Sequence, residues 1–220
     1  MTDIRRAAQR YRGGEPGAGI TTLHSFSFGA HYDPDNLRFG ALIASNEEHL
    51  DPGAGFEEHP HRDTEIVTWV VEGELTHRDS TGHATVVRPG DVQRLNAASG
   101  VRHVERNDGT APLVFVQMWL APLAAGGSPA YDVVRALGDG VPFPLPGAGA
   151  VLRVHRLAPG ARAEAPAAPW VHLQVVRGTA RLLGEDLATG DAARLTGPAG
   201  PLVLAGGAEG AEVLTVSAAP

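Results

Sequence analysis

Short apolar runs, most of them eight residues or fewer, recur along the chain between glycine, proline, aspartate and asparagine: "FGALIAS", "EIVTWVVEG", "ATVVRPGD", "LVFVQMWL", "LRVHRL", "WVHLQVVRG", "PLVLAGG" and "AEVLTVS". Their length and their content of valine, threonine, leucine and aromatic residues predict strands rather than helices. The chain therefore reads as mostly β, with 28 glycines and 17 prolines for tight turns. Hydrophobic residues make up 43% of the sequence, which favours a packed core over disorder.

The strand rhythm breaks from Ala121 to Ala150, "APLAAGGSPAYDVVRALGDGVPFPLPGAGA", where proline and glycine flank room for a short helix. This segment is predicted to link a first domain, residues 1–120, to a second, residues 151–220. The two parts echo each other. "WVVEGELT" precedes Gly90-Asp91 much as "LQVVRGTAR" precedes Gly190-Asp191, so two copies of one β-unit are expected.

In the first copy, "FEEHPHRD" sets His59 and His61 two residues apart, and "SGVRHVERND" does the same with His103 and Glu105. Residues at i and i+2 of a strand share a face, so each pair can aim both groups inward. Three imidazoles and one carboxylate suit a divalent first-row metal and leave coordination positions for substrate or dioxygen. A lone H-x-H is more often a structural pair, and it is the H-x-E in the same β-unit that turns the balance. The second copy is an internal control. Counted from the same turn glycine and the same Gly-Asp, its equivalents are Glu164, Pro166, Val203 and Ala205, none of them a histidine. Its domain is expected to lack the metal ligands. Arg62, Asp63 and Glu65 read as a solvated or supporting cluster, His77 as a hairpin-turn residue and His172 as a core histidine. Gln117 is either a pocket hydrogen-bonding group or a sheet-edge residue.

Composition narrows the chemistry. There is no cysteine, which removes thiolate sites and disulfides. The formal charge of -7 and the absence of a basic cluster argue against direct nucleic-acid binding. The N-terminal residues lack the apolar run of a signal peptide, and no stretch has the eighteen or so apolar residues of a membrane span, so a cytoplasmic location is expected.

"GFEEHPHRDTEIVTWVVEGELTHRDSTG", "RPGDVQRLNAASGVRHVERN" and "HSFSFGAHYDP" resemble the pirin family, whose members are bicupins. The resemblance is most specific before Ala121. It implies an all-β bicupin, two cupin domains of β-barrel or jelly-roll type in one chain, with His59, His61, His103 and Glu105 as metal ligands. The glutamate usual in the first cupin motif would fall at Ile66, so the carboxylate comes from Glu105. Iron is the expected ion, with Mn, Co, Ni, Cu or Zn as alternatives. The resemblance also implies a dioxygenase acting on an aromatic, flavonol-like substrate such as quercetin, with Glu105 as proton acceptor as well as ligand. Its alternative is an iron-binding, redox-sensing regulatory protein that acts through protein partners.

Overall fold

The structure is a computed structural model that describes residues 1–219. The strands are β1 (Thr2–Arg5), β2 (Tyr11–Gly13), β3 (Ile20–His24), β4 (Leu42–Leu50), β5 (Gly55–His61), β6 (Glu65–Glu72), β7 (Leu75–Asp79), β8 (Ala84–Val87), β9 (Val92–Asn96), β10 (Val101–Arg106), β11 (Leu113–Leu120) and β12 (Ala130–Val134). They continue as β13 (Phe143–Leu145), β14 (Ala150–Leu157), β15 (Arg162–Ala165), β16 (Trp170–Leu182), β17 (Glu185–Ala188), β18 (Ala192–Thr196) and β19 (Leu202–Ala218). The helical turns among the described residues are short 3₁₀ segments. The all-β bicupin expectation is met, and among the described residues no helix is long and apolar enough to cross a membrane.

The described chain forms two compact units, residues 11–137 and residues 1–10 with 138–219. In the first, a seven-stranded sheet of order β12-β9-β6-β11-β4-β3-β2 and a four-stranded sheet of order β5-β10-β7-β8 supply a shared apolar interior. Leu75 and Val87 of the smaller sheet pack with Ile20, Leu50, Val70 and Phe115 of the larger. The second unit is built on one connected sheet in which the 17-residue β19 pairs β15 near its start and β14 near its end. Leu173, Val175, Leu187, Leu204 and Val213 form its core.

These boundaries differ from the expected 1–120 and 151–220, and so does the segment between them. Residues 130–134 form no helix. They are strand β12, which pairs with β9 and extends the first unit's larger sheet; the β-branched Val133-Val134 pair favours that state. The helical part of the segment is the 3₁₀ turn Pro146–Ala148. At the other end, β1 pairs with β18, and the backbone N–H of Ala7 donates to Asp191 at 2.7 Å, which ties residues 1–10 to the second unit.

The repeat is visible in side-chain detail. Asp91 accepts a backbone hydrogen bond from Arg88 at 3.1 Å, and Asp191 accepts one from Ala188 at the same distance. Each aspartate is also paired with an arginine, Arg135 and Arg6 respectively. Gly73 and Gly178 both have positive φ, +79° and +69°, and a Cβ at either would lie within 2.5 Å of a backbone carbonyl oxygen. In β15 and β19, Glu164 lies opposite Val203, as His59 lies opposite His103 in β5 and β10. The offsets counted in the sequence thus select an equivalent pair at Glu164 and Val203, while Pro166 falls just beyond the end of β15.

Candidate metal centre

β5 and β10 are antiparallel neighbours, with His61 opposite Val101 and His59 opposite His103. β5 is an edge strand, the place in a sheet that tolerates Pro60 and its missing N–H. On β10 the alternation is regular: Val101, His103 and Glu105 are buried and Arg102 is exposed. On β5 a bulge interrupts it. His103 faces His59, but Glu105 faces Phe56, so β5 accommodates one extra residue. Strict alternation would have set Glu57 beside the histidines. The bulge turns Glu57 and Glu58 outward, where they pair with Arg106 and Arg102, and brings Phe56 to the inner face.

The structure brings His59, His61 and His103 together, with a nitrogen of each within 4.8 Å of the others. The His59 Nδ1–H donates to the Glu57 carbonyl at 2.8 Å, leaving the lone pair on Nε2. That Nε2 stands 3.0 Å from the Nε2 of His103. The buried Nε2 of His61 has no protein hydrogen-bond partner. Burial, then the proximity of His103 and His59, holds the His61 imidazolium down at about 4. Burial likewise lowers His103, against the opposing influence of Glu105. Neutral imidazoles with directed lone pairs are metal ligands. Two nitrogens each about 2.1 Å from one ion and at right angles stand about 3 Å apart, the spacing of His59 and His103. The residues present therefore fit a divalent first-row cation.

Glu105 belongs to a second group, with His103 and His77, rather than to the compact triad. Gln93 Nε2 donates to its Oε1 at 3.0 Å and Gln117 Nε2 to its Oε2 at 2.7 Å. Each amide is held in that orientation by an aromatic donor on its carbonyl oxygen: Tyr131 Oη–H on Gln93 at 3.0 Å and Trp119 Nε1–H on Gln117 at 2.8 Å. Gln93 and Gln117 lie in a row of polar side chains, His24, Asn46, Gln117, Thr68 and Gln93, paired across β3, β4, β11, β6 and β9. Burial pushes the Glu105 carboxyl up, but His103, His77 and the two amides outweigh it and leave it below its usual range, ionised at neutral pH. A carboxylate has about four acceptor sites, so two amide donors leave capacity for a cation.

His77 does not sit at a turn or a rim. It is wholly buried on β7, opposite Glu105 on β10, stacked 4.5 Å from Tyr131 and hydrogen-bonded through Nε2 to Asp79 at 3.2 Å. The signal was present in "THRD", where His77 and Asp79 share a strand face by the same i, i+2 rule. Glu65 is also buried rather than solvated, bound by Arg94 and Asn96. Gln117 resolves to an interior hydrogen-bonding residue.

A cavity of about 440 Å³ opens onto the centre at His59, Glu105 and Gln117. Phe28, Phe56 and Trp119 form apolar walls, and Trp119 meets His61 edge-on with ring centroids 4.8 Å apart. This arrangement can hold a planar aromatic molecule against a metal ion.

Known proteins resemble this chain in sequence and in fold. A Mycobacterium tuberculosis protein, named provisionally as a quercetin 2,3-dioxygenase, is 43% identical over 218 residues, covering 88% of this chain and 86% of its own length. An Escherichia coli quercetin 2,3-dioxygenase is 38% identical over 137 residues, 61% of this chain and 58% of that protein. The crystal structure of the Escherichia coli bacterial pirin YhhW in complex with nickel(II) superposes with a TM-score of 0.89 at 27% identity, covering all of both chains. The Pirin family model matches residues 5–120, the stretch that carries β5, β10 and both glutamine braces. With the bicupin fold and that match together, the chain belongs to the pirin family.

Proposed function

We propose that His59, His61, His103 and Glu105 hold one divalent first-row metal ion, with iron the expected occupant, and that the centre opens flavonols such as quercetin with dioxygen. The observation that carries this reading is the triad of imidazoles His59, His61 and His103 beside the Glu105 carboxylate, with His59 and Glu105 lining a cavity with aromatic walls. The activity named for the Escherichia coli relative supports the reaction class, and the nickel complex of YhhW supports a metal at such a centre.

When bound, the metal supplies a Lewis-acidic centre for the substrate oxygen and dioxygen. The protein's own contributions follow from its side chains. Phe28, Phe56 and Trp119 hold the flavonol rings and exclude water. Gln93 and Gln117 keep Glu105 in place and ionised, so that a Glu105 carboxylate oxygen accepts the proton of the flavonol 3-hydroxyl. Overall, one flavonol and one dioxygen are consumed, and carbon monoxide and a ring-opened ester are released.

Aerobic incubation of metal-loaded protein with quercetin tests the reading, following flavonol absorbance and carbon monoxide together. Equimolar loss and release are expected. Intact quercetin after loading with iron, manganese, cobalt, nickel or copper would overturn it and favour the regulatory alternative.

A further inference from the structure

The cavity that reaches His59 and Glu105 is also lined by a group of polar side chains from the larger sheet. On β4, Asn46 and Glu48 share the inner face, and their partners across β3 are His24 and Thr22. All four side chains line the cavity. Glu48 is 5% exposed and accepts the Thr22 hydroxyl. His24 Nδ1 lies 3.0 Å from Asn46 Oδ1, and its ring is stacked on Phe28 with centroids 4.9 Å apart.

None of these four residues is needed to hold the His59 centre. Burying a carboxyl beside aromatic walls is unfavourable unless its acceptor sites are used. Donors from Thr22 and Asn46 leave part of its capacity for a ligand. Glu48 and Glu105 line the same cavity, and Glu105 acts electrostatically on Glu48, so a planar molecule bound against His59 and Glu105 also comes within reach of Glu48.

We propose that Glu48, supported by Thr22, Asn46 and His24, is a second recognition subsite that accepts a hydrogen bond from a hydroxyl on the aromatic ring remote from the metal-binding end. The subsite selects ligands hydroxylated on that ring over ligands that are not, and it rests on the flavonol reading above. Burial holds the Glu48 carboxyl up at about 7. Both its acid and its carboxylate form present an acceptor oxygen, so recognition does not depend on which one predominates.

The test compares two flavonols, quercetin, with hydroxyls on its pendant ring, and galangin, whose pendant ring is unsubstituted. Binding to protein as purified is measured by calorimetry for the native chain, Glu48→Leu and Thr22→Val. The native chain is expected to favour quercetin by about tenfold, the size of one hydrogen bond. Glu48→Leu should abolish that preference while changing galangin affinity less than about twofold. Thr22→Val, which removes the donor that orients Glu48, should reduce the preference and serves if Glu48→Leu does not fold. No preference in the native chain, or an undiminished preference in Thr22→Val, would overturn the subsite. So would equal weakening of both ligands by Glu48→Leu. Turnover is read separately: a Glu48-dependent preference without quercetin consumption leaves the subsite standing and removes the reaction, and consumption without any preference does the reverse.

Discussion

Gln117 donates to Glu105 Oε2 at 2.7 Å while its own carbonyl oxygen is occupied by Trp119. The amide has one productive orientation, and the carboxylate receives a donor whose direction the aromatic wall dictates. Gln117→Leu should weaken metal binding by about 10- to 100-fold, the usual effect of removing a group that orients a ligand. Trp119→Phe, which keeps an aromatic ring at the wall and removes the donor that holds the amide, should cost less. Metal titration monitored by competition with a chelator separates the two.

Glu105 is proposed as both ligand and proton acceptor, and these roles respond differently to one substitution. Glu105→Gln keeps an oxygen donor and loses the negative charge. It should abolish flavonol turnover more completely than it lowers metal content, whereas His103→Ala should lose both together. Metal analysis alongside the quercetin assay checks this, and equal losses in Glu105→Gln would remove the separate proton-accepting role.

Two groups, His61 partly buried and Glu48 buried, give the metal-free protein opposite pH dependences. His61 falls from 6.5 to about 4, so the unfolded chain binds more protons in that interval, and stability is lost as pH falls from about 6.5 toward 4. At 1.36 kcal/mol per unit the loss is at most about 3 kcal/mol, and less because the ring is only partly buried. Glu48 rises from 4.5 to about 7, so its contribution is present below the unfolded value and is lost as pH rises through 7, again by at most about 3 kcal/mol. Glu48→Gln should therefore raise Tm more at pH 8 than at pH 4.5. Thermal unfolding of the metal-free chain and the variant at both pH values tests the sign.

The two equivalent turn glycines should fail in the same way. An added Cβ would sit 2.5 Å from the Pro112 carbonyl oxygen at Gly73 and 2.2 Å from that of Gly210 at Gly178, and both residues have positive φ. Gly73→Ala and Gly178→Ala should each destabilise by more than about 1 kcal/mol. Denaturant unfolding of the two variants measures it.

Much of this protein was legible in the order of its residues. The short β-rich runs identified an all-β chain, and the offsets from Gly73, Gly178, Asp91 and Asp191 located equivalent positions in two β-units. The i, i+2 spacing placed His103 and Glu105 on one face of β10. These signals are local, because the two-residue period of a strand follows from backbone geometry alone.

What the tertiary structure decided depends on contacts between distant segments. The bulge on β5 faces Glu105 with Phe56 and turns Glu57 away, and nothing in "GFEEHPH" announces which residue is extra. His77 becomes an interior group only because β7 pairs with β10, and Gln93 and Gln117 reach Glu105 only because β9 and β11 flank β6. The unit boundary moved to residue 137 because β12 found a free edge at β9. Side-chain period is a property of one strand, whereas register and edge pairing are chosen by the cooperative fit of several, and that fit sets what surrounds the histidines.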